Sequence, residues 1–148
     1  MTPLRIRRLV TVTLILTAAT SCHNALAPVD AVLEGTYVLT TVNGMALPAD
    51  LSNGDPGRLI LLSETIHFNG AGGAIDDVTE RDSLSSAPAQ VVFGTIELSY
   101  HVDGSVVHFK VLCGPGASCT QSPDATIIDA KDFVIQNGVY TYDFHNPR

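Results

Sequence analysis

Tryptophan is absent from the 148-residue chain, aromatic residues make up only 6% of it, and three cysteines occur. Three cysteines are too few for a small scaffold stapled by disulfides. Basic residues are also scarce: 8 Lys and Arg stand against 15 Asp and Glu, a formal net charge of −7. Phosphate recognition needs a basic face, so no nucleic-acid partner is expected. Long apolar runs are missing. The longest, residues 9–20 (LVTVTLILTAAT), has 12 residues. That is too short to cross a hydrocarbon core of ~30 Å as a helix. The patterns G-x-S-x-G, H-E-x-x-H and G-x-x-x-x-G-K-[ST] do not occur. With no nucleophile–base pair and no metal constellation in view, the chain is expected not to be an enzyme and to hold no cofactor or metal. What is present is a 45% apolar composition with a mean hydropathy of +0.24. That argues against disorder, and the length suits one domain.

The apolar run follows Arg5, Arg7 and Arg8 and ends in Ala19-Thr20-Ser21-Cys22. A basic start, a short apolar core and small residues together form a signal peptide. Small residues directly before a cysteine resemble the lipobox of bacterial lipoproteins, with Ala19 where that family usually has Leu. The resemblance implies cleavage of residues 1–21 and lipidation of Cys22. Ordinary secretory cleavage after Ala25-Leu26-Ala27 is the alternative, although Pro28 would follow the scissile bond. Losing the three Arg of residues 1–21 leaves 5 of the 8 basic residues against 15 acidic ones, a net charge of −10. A surface of that sign gains nothing from anionic headgroups, so membrane attachment would rest on the lipid anchor. His23 stands where enteric inner-membrane lipoproteins carry Asp, which favours the outer membrane, facing the periplasm. Residues 22–33 read as a lipidated tether and 34–148 as the folded domain.

Export bears on the remaining cysteines. Cys113 and Cys119 enclose Gly-Pro-Gly-Ala-Ser, a turn-rich loop. Outside the cytoplasm such a pair oxidises, and a structural disulfide is expected. A redox pair would prefer C-x-x-C, and zinc needs further ligands nearby.

The domain reads as strands, because apolar residues recur with period two and no window keeps helical spacing. Residues 95–112 (TIELSYHVDGSVVHFKVL) form the clearest hairpin, with Asp103-Gly104 as its turn. That turn pairs residues whose numbers sum to 207. It puts Glu97 opposite Lys110, sets His101 diagonal to His108, and gathers Ile96, Leu98, Tyr100, Val102, Val107, Phe109 and Val111 on one face. A second hairpin, 132–144, turns at Asn137-Gly138 and collects Phe133, Ile135, Tyr140, Tyr142 and Phe144; Asp132 then meets Asp143. Residues 35–42 form a strand closed by Asn43-Gly44. Residues 58–62 and 65–68 are expected to pair across Ser63-Glu64, and weaker strands fall at 74–82 and 126–129. Eight or nine short antiparallel strands must close or stack to bury their apolar face. An all-β up-and-down barrel of about eight strands is expected, with a β-sandwich as the alternative.

Leu33-Glu34-Gly35-Thr36-Tyr37, the following Val42-Asn43-Gly44, Gly94-Thr95-Ile96-Glu97-Leu98 and the closing Tyr140-Thr141-Tyr142 resemble segments of small bacterial lipocalin-like (calycin-type) lipoproteins. The resemblance implies a calycin barrel without an assigned activity. Tyr37 stands where larger lipocalins have Trp. META-type domains have a similar first strand and are the second choice.

Most other features have a plain structural reading. Gly70, Gly72 and Gly73 suit a loop between strands better than a phosphate loop, since no helix follows. Asp76, Asp77, Glu80 and Asp82 lack EF-hand spacing and read as a solvated acidic edge. His101 and His108 lack further metal ligands. Tyr37, Leu98, Tyr100, Phe109, Phe133, Tyr140 and Tyr142 form an aromatic-rich inner face, which lines a cavity for an apolar ligand or fills the barrel outright. Two roles follow. One is a non-catalytic binding module for a hydrophobic or amphipathic small molecule. The other is a filled barrel that meets an unidentified envelope protein through loops 45–57, 83–89 and 113–124.

Overall fold

A computed structural model describes residues 33–52, 59–83, 88–114, 119 and 122–148. The signal segment 1–21, Cys22 and nearly all of the tether lie outside the described residues. The described chain forms strands β1 (Glu34–Val42), β2 (Met45–Ala46), β3 (Ala49–Asp50), β4 (Leu59–Asn69), β5 (Gly73–Asp82), β6 (Gln90–Asp103), β7 (Val106–Val111), β8 (Ala125–Ile127), β9 (Asp132–Asn137) and β10 (Tyr140–His145). Each long strand pairs antiparallel with the next in sequence from β4 to β10. β1 then pairs with β10 on one side and β4 on the other. This seam closes an eight-stranded up-and-down barrel and rules out an open sandwich. Closure leaves the eight strands no fully free edge, and it buries one face of a chain with no helix among the described residues.

Period two sets which side chains point inward. Tyr37, Leu39, Ile66, Phe68, Leu98, Val107, Phe109, Phe133, Ile135 and Phe144 are all buried in one cluster. Each large side chain buried there contributes about 1.5–3 kcal/mol relative to exposure. Alternate residues face water, as with His67 between Ile66 and Phe68.

The turns set the register. Asn43 and Gly44 have φ of 52° and 74°. That is the type I′ pattern expected of Asn-Gly, and it pairs Val42 with Met45. The two later hairpins differ from expectation in the same way. Gly104 and Gly138 carry positive φ, but each is the first residue of its turn, not the second. Ser105 and Val139 complete the turns, in the II′ arrangement with Gly leading. The paired residue numbers therefore sum to 209 and 277, as in Tyr100↔Phe109 and Phe144↔Phe133. A shift of two leaves each face unchanged but alters every partner. Ser99, not Glu97, stands opposite Lys110. His101 lies directly across from His108, with ring centroids 4.7 Å apart. Asp132 faces His145 and not Asp143, and its carboxylate sits 2.6 Å from His145 Nδ1.

The expected turn at Ser63-Glu64 is absent. β4 runs unbroken through it, with a bulge between Leu61 and Ser63. A bulge adds one residue to one strand and so changes which parity points inward. Before it Leu61 faces the interior; after it the inward residues are Glu64, Ile66 and Phe68.

Candidate functional site

The barrel interior has two unlike halves. The half containing the start of β1, the β4–β5 turn and the β6–β7 turn is filled by rings. Phe68 packs edge-on against Tyr37 at 5.4 Å, Tyr100 at 4.9 Å and Phe133 at 5.9 Å. Phe133 stacks on Phe144 at 4.8 Å. Edge-to-face and offset contacts of this kind add about 0.5–1.5 kcal/mol each beyond burial. Leu33 closes this end, and its carbonyl accepts the Tyr100 hydroxyl at 2.6 Å. The Tyr37 hydroxyl reaches the Ala130 carbonyl at 3.5 Å.

The other half is hollow. A cavity of about 290 Å³ lies among Leu51, Leu61, Glu64, Ile66, Asp76, Val78, Glu80, Ile96, Leu98, Phe109, Ile135 and Tyr142, with Ser122, Pro123 and Asn137 at its margin. Beside it the wall is incomplete. β7 pairs with β6 only from Leu98 to Asp103, so among the described residues Gln90–Ile96 pairs with β5 alone. Ile96 both lines the cavity and is 39% exposed. Gly94 stands opposite Val78, and a Cβ there would come within 2.9 Å of the valine side chain. The missing side chain keeps this stretch of wall thin.

Two of the acidic residues expected at a solvated edge, Asp76 and Glu80, face the interior. Asp76 and Glu80 share the inward parity of β5 with Val78, and Glu64 opposes Val78 from β4. Asp77 alternates outward, where it accepts the Thr95 hydroxyl at 2.7 Å. Burial, then the neighbouring Asp76 and Glu80 charges, push the Glu64 carboxyl up to about 8. Burial, with Asp77 adjacent, raises Asp76 to about 6. Burial and the nearby Glu64 push Tyr142 up to about 12. Asp76 Oδ1 is shielded from solvent and has no hydrogen-bond partner. Among the described residues no Lys, Arg or His lines the cavity.

The residues singled out from sequence divide between the halves. Leu98, Phe109 and Tyr142 line the cavity. Tyr37, Tyr100 and Phe133 belong to the aromatic half, and Tyr140 lies beside Tyr142 with ring centroids 6.3 Å apart. Cys113 and Cys119 lie at disulfide distance, with Cα atoms 6.2 Å apart. Sequence reasoning missed Glu64, because an acidic residue beside Ser reads as turn chemistry. It missed the shared parity of positions 76, 78 and 80, which was visible in the numbering. Comparison with known protein families, with characterised proteins and with solved structures returns no match.

Proposed function

We propose that the chain is a lipid-anchored protein of the cell envelope that binds a hydrophobic or amphipathic small molecule without transforming it. The observation that carries this reading is the hollow half of the barrel, a mostly apolar cavity with a few convergent polar groups and an incomplete wall beside it. The basic, apolar and small-residue pattern ending at Cys22 supports lipidation and residence at the outer membrane, facing the periplasm. The closed barrel is compatible with a lipocalin-like lineage, and a META-type origin is the other candidate. Glu64, which keeps its proton up to about pH 8, has the character of a general acid, but among the described residues no Ser, Cys or His nucleophile–base pair lines the cavity, so its role is assigned to binding.

Native mass spectrometry of the processed protein, recovered from an oxidising envelope, tests the reading. A reproducible added mass that disappears on denaturation is expected. A bare protein mass would count against it and favour the second role, a docking barrel. That role draws on the filled aromatic half and on Phe93, 78% exposed on the stretch of β6 that pairs with β5 alone. Lipidation has its own check: Cys22→Ser should abolish incorporation of labelled fatty acid.

A further inference from the structure

The binding reading leaves the ligand's charge open, and the cavity wall speaks to it. We propose that the cavity selects an organic ammonium ion, whose apolar body lies against Leu61, Ile66, Leu98 and Phe109 and whose charge is received by Glu64, Asp76 and Glu80. This rests on the cavity being a binding site and specifies what it takes.

Three carboxyl groups on one wall are costly unless something compensates them. Among the described residues nothing does so: the lining holds no Lys, Arg or His, and Asp76 Oδ1 lacks even a hydrogen-bond donor. Every element around the cavity bears this out. β4 contributes Glu64, β5 contributes Asp76 and Glu80, and β10 contributes Tyr142. β6, β7 and β9 contribute Ile96, Leu98, Phe109, Ile135 and Asn137, none of them charged. The charge that these described residues can carry therefore has one sign, in a space walled mainly by carbon. A neutral or anionic guest would leave that charge unanswered or worsen it.

The spacing argues against a bare metal ion. Asp76 and Glu80 are four residues apart on one strand, roughly 13 Å between Cα atoms. Calcium needs oxygens at about 2.3–2.6 Å from a single centre. Among the described residues no three His, Cys, Asp or Glu side chains are placed to hold a metal. An ammonium group needs no such convergence; it can rest against Glu64 with the other two carboxylates flanking. The volume of about 290 Å³ admits a guest of about ten non-hydrogen atoms.

The test uses three guests of one shape: cyclohexylammonium, cyclohexanol and cyclohexanecarboxylate. Each is titrated at pH 9 into the full chain as its host processes it, and binding is followed by NMR shifts of Ile66, Val78 and Tyr142. The ammonium should bind at least about ten times more tightly than the alcohol, and the carboxylate should not bind. Ammonium affinity should fall from pH 9 to pH 6 as Glu64 regains its proton. The isosteric double variant Glu64→Gln, Asp76→Asn should bring the ammonium down to the level of the alcohol and leave the alcohol unchanged. Equal binding of alcohol and ammonium at these residues would overturn the charge preference while leaving the cavity reading intact. Ammonium shifts confined to outward residues such as Asp77 and Glu97 would overturn it as a surface effect. No binding of any of the three would overturn both this inference and the proposed function.

Discussion

The two halves of the barrel use the same strands for opposite ends. In the aromatic half, Phe68, Phe133 and Phe144 interlock and the two tyrosine hydroxyls find backbone carbonyls. In the hollow half, carboxyl groups stand inside with no cation among the described residues beside them. Stability is concentrated in the first half and a standing electrostatic cost in the second. A binding site built on strained electrostatics needs such a neighbour, because the packed half holds the strands while the other departs from good packing.

Four experiments can break or sharpen this contrast. The largest effect is expected in the filled half. Phe133→Ala should lower stability by about 3–5 kcal/mol in a urea titration, because its aromatic neighbours cannot collapse into the void. A loss under 1 kcal/mol would mean that this half is not the stabilising one.

The hollow half should respond with the opposite sign. Glu64 has a higher pKa in the fold than in the unfolded chain, so the folded state holds the extra proton between pH 4.5 and about 8. Asp76 acts likewise between pH 3.8 and about 6. Where the folded state binds more protons, stability falls as pH rises. Their contribution is therefore most favourable below both windows and is lost by about pH 8. Melting temperature should drop from pH 5 to pH 9. Glu64→Gln should flatten that slope and stabilise the protein at pH 9 by about 1–3 kcal/mol. A variant less stable than the parent at pH 9 would contradict the assigned burial.

Ile96 sits at the open wall. Ile96→Ala should cost about 1 kcal/mol or less in the same titration. A loss as large as that of Phe133→Ala would mean that the wall is shut. The smallest effect belongs to the outer surface, where the Asp132 and His145 side chains remain 40% and 44% exposed. His145→Ala should change stability by no more than about 0.5 kcal/mol.

Much of the architecture was legible in the chain. Period two gave the inward faces of β6, β7, β9 and β10 correctly, because a two-residue error in register preserves parity. Asn43-Gly44 was legible as a turn because both of its residues tolerate positive φ. Asp103-Gly104 and Asn137-Gly138 looked the same but placed glycine first in the turn. That choice depends on which residues pair best along both strands, and no dipeptide contains the information. The acidic wall was obscured for another reason. An inward carboxylate contradicts the hydrophobic pattern that defines a strand's inner face, so pattern reading sends it outward. The bulge after Leu61 concealed Glu64 further by breaking the alternation at that point.

The seam between β1 and β10 bears on how the barrel forms. Leu39 pairs with Phe144, so the ring is completed by residues from nearly opposite ends of the described chain. Contacts that distant in sequence carry a large loop-closure cost and form late. β4 to β7 can zip up as successive hairpins, but β1 has only one of its two long neighbours until the last strand arrives. A chain shortened before Tyr140 would thus retain the carboxylate wall of β4 and β5 while exposing one edge each of β1 and β9, a template for aggregation.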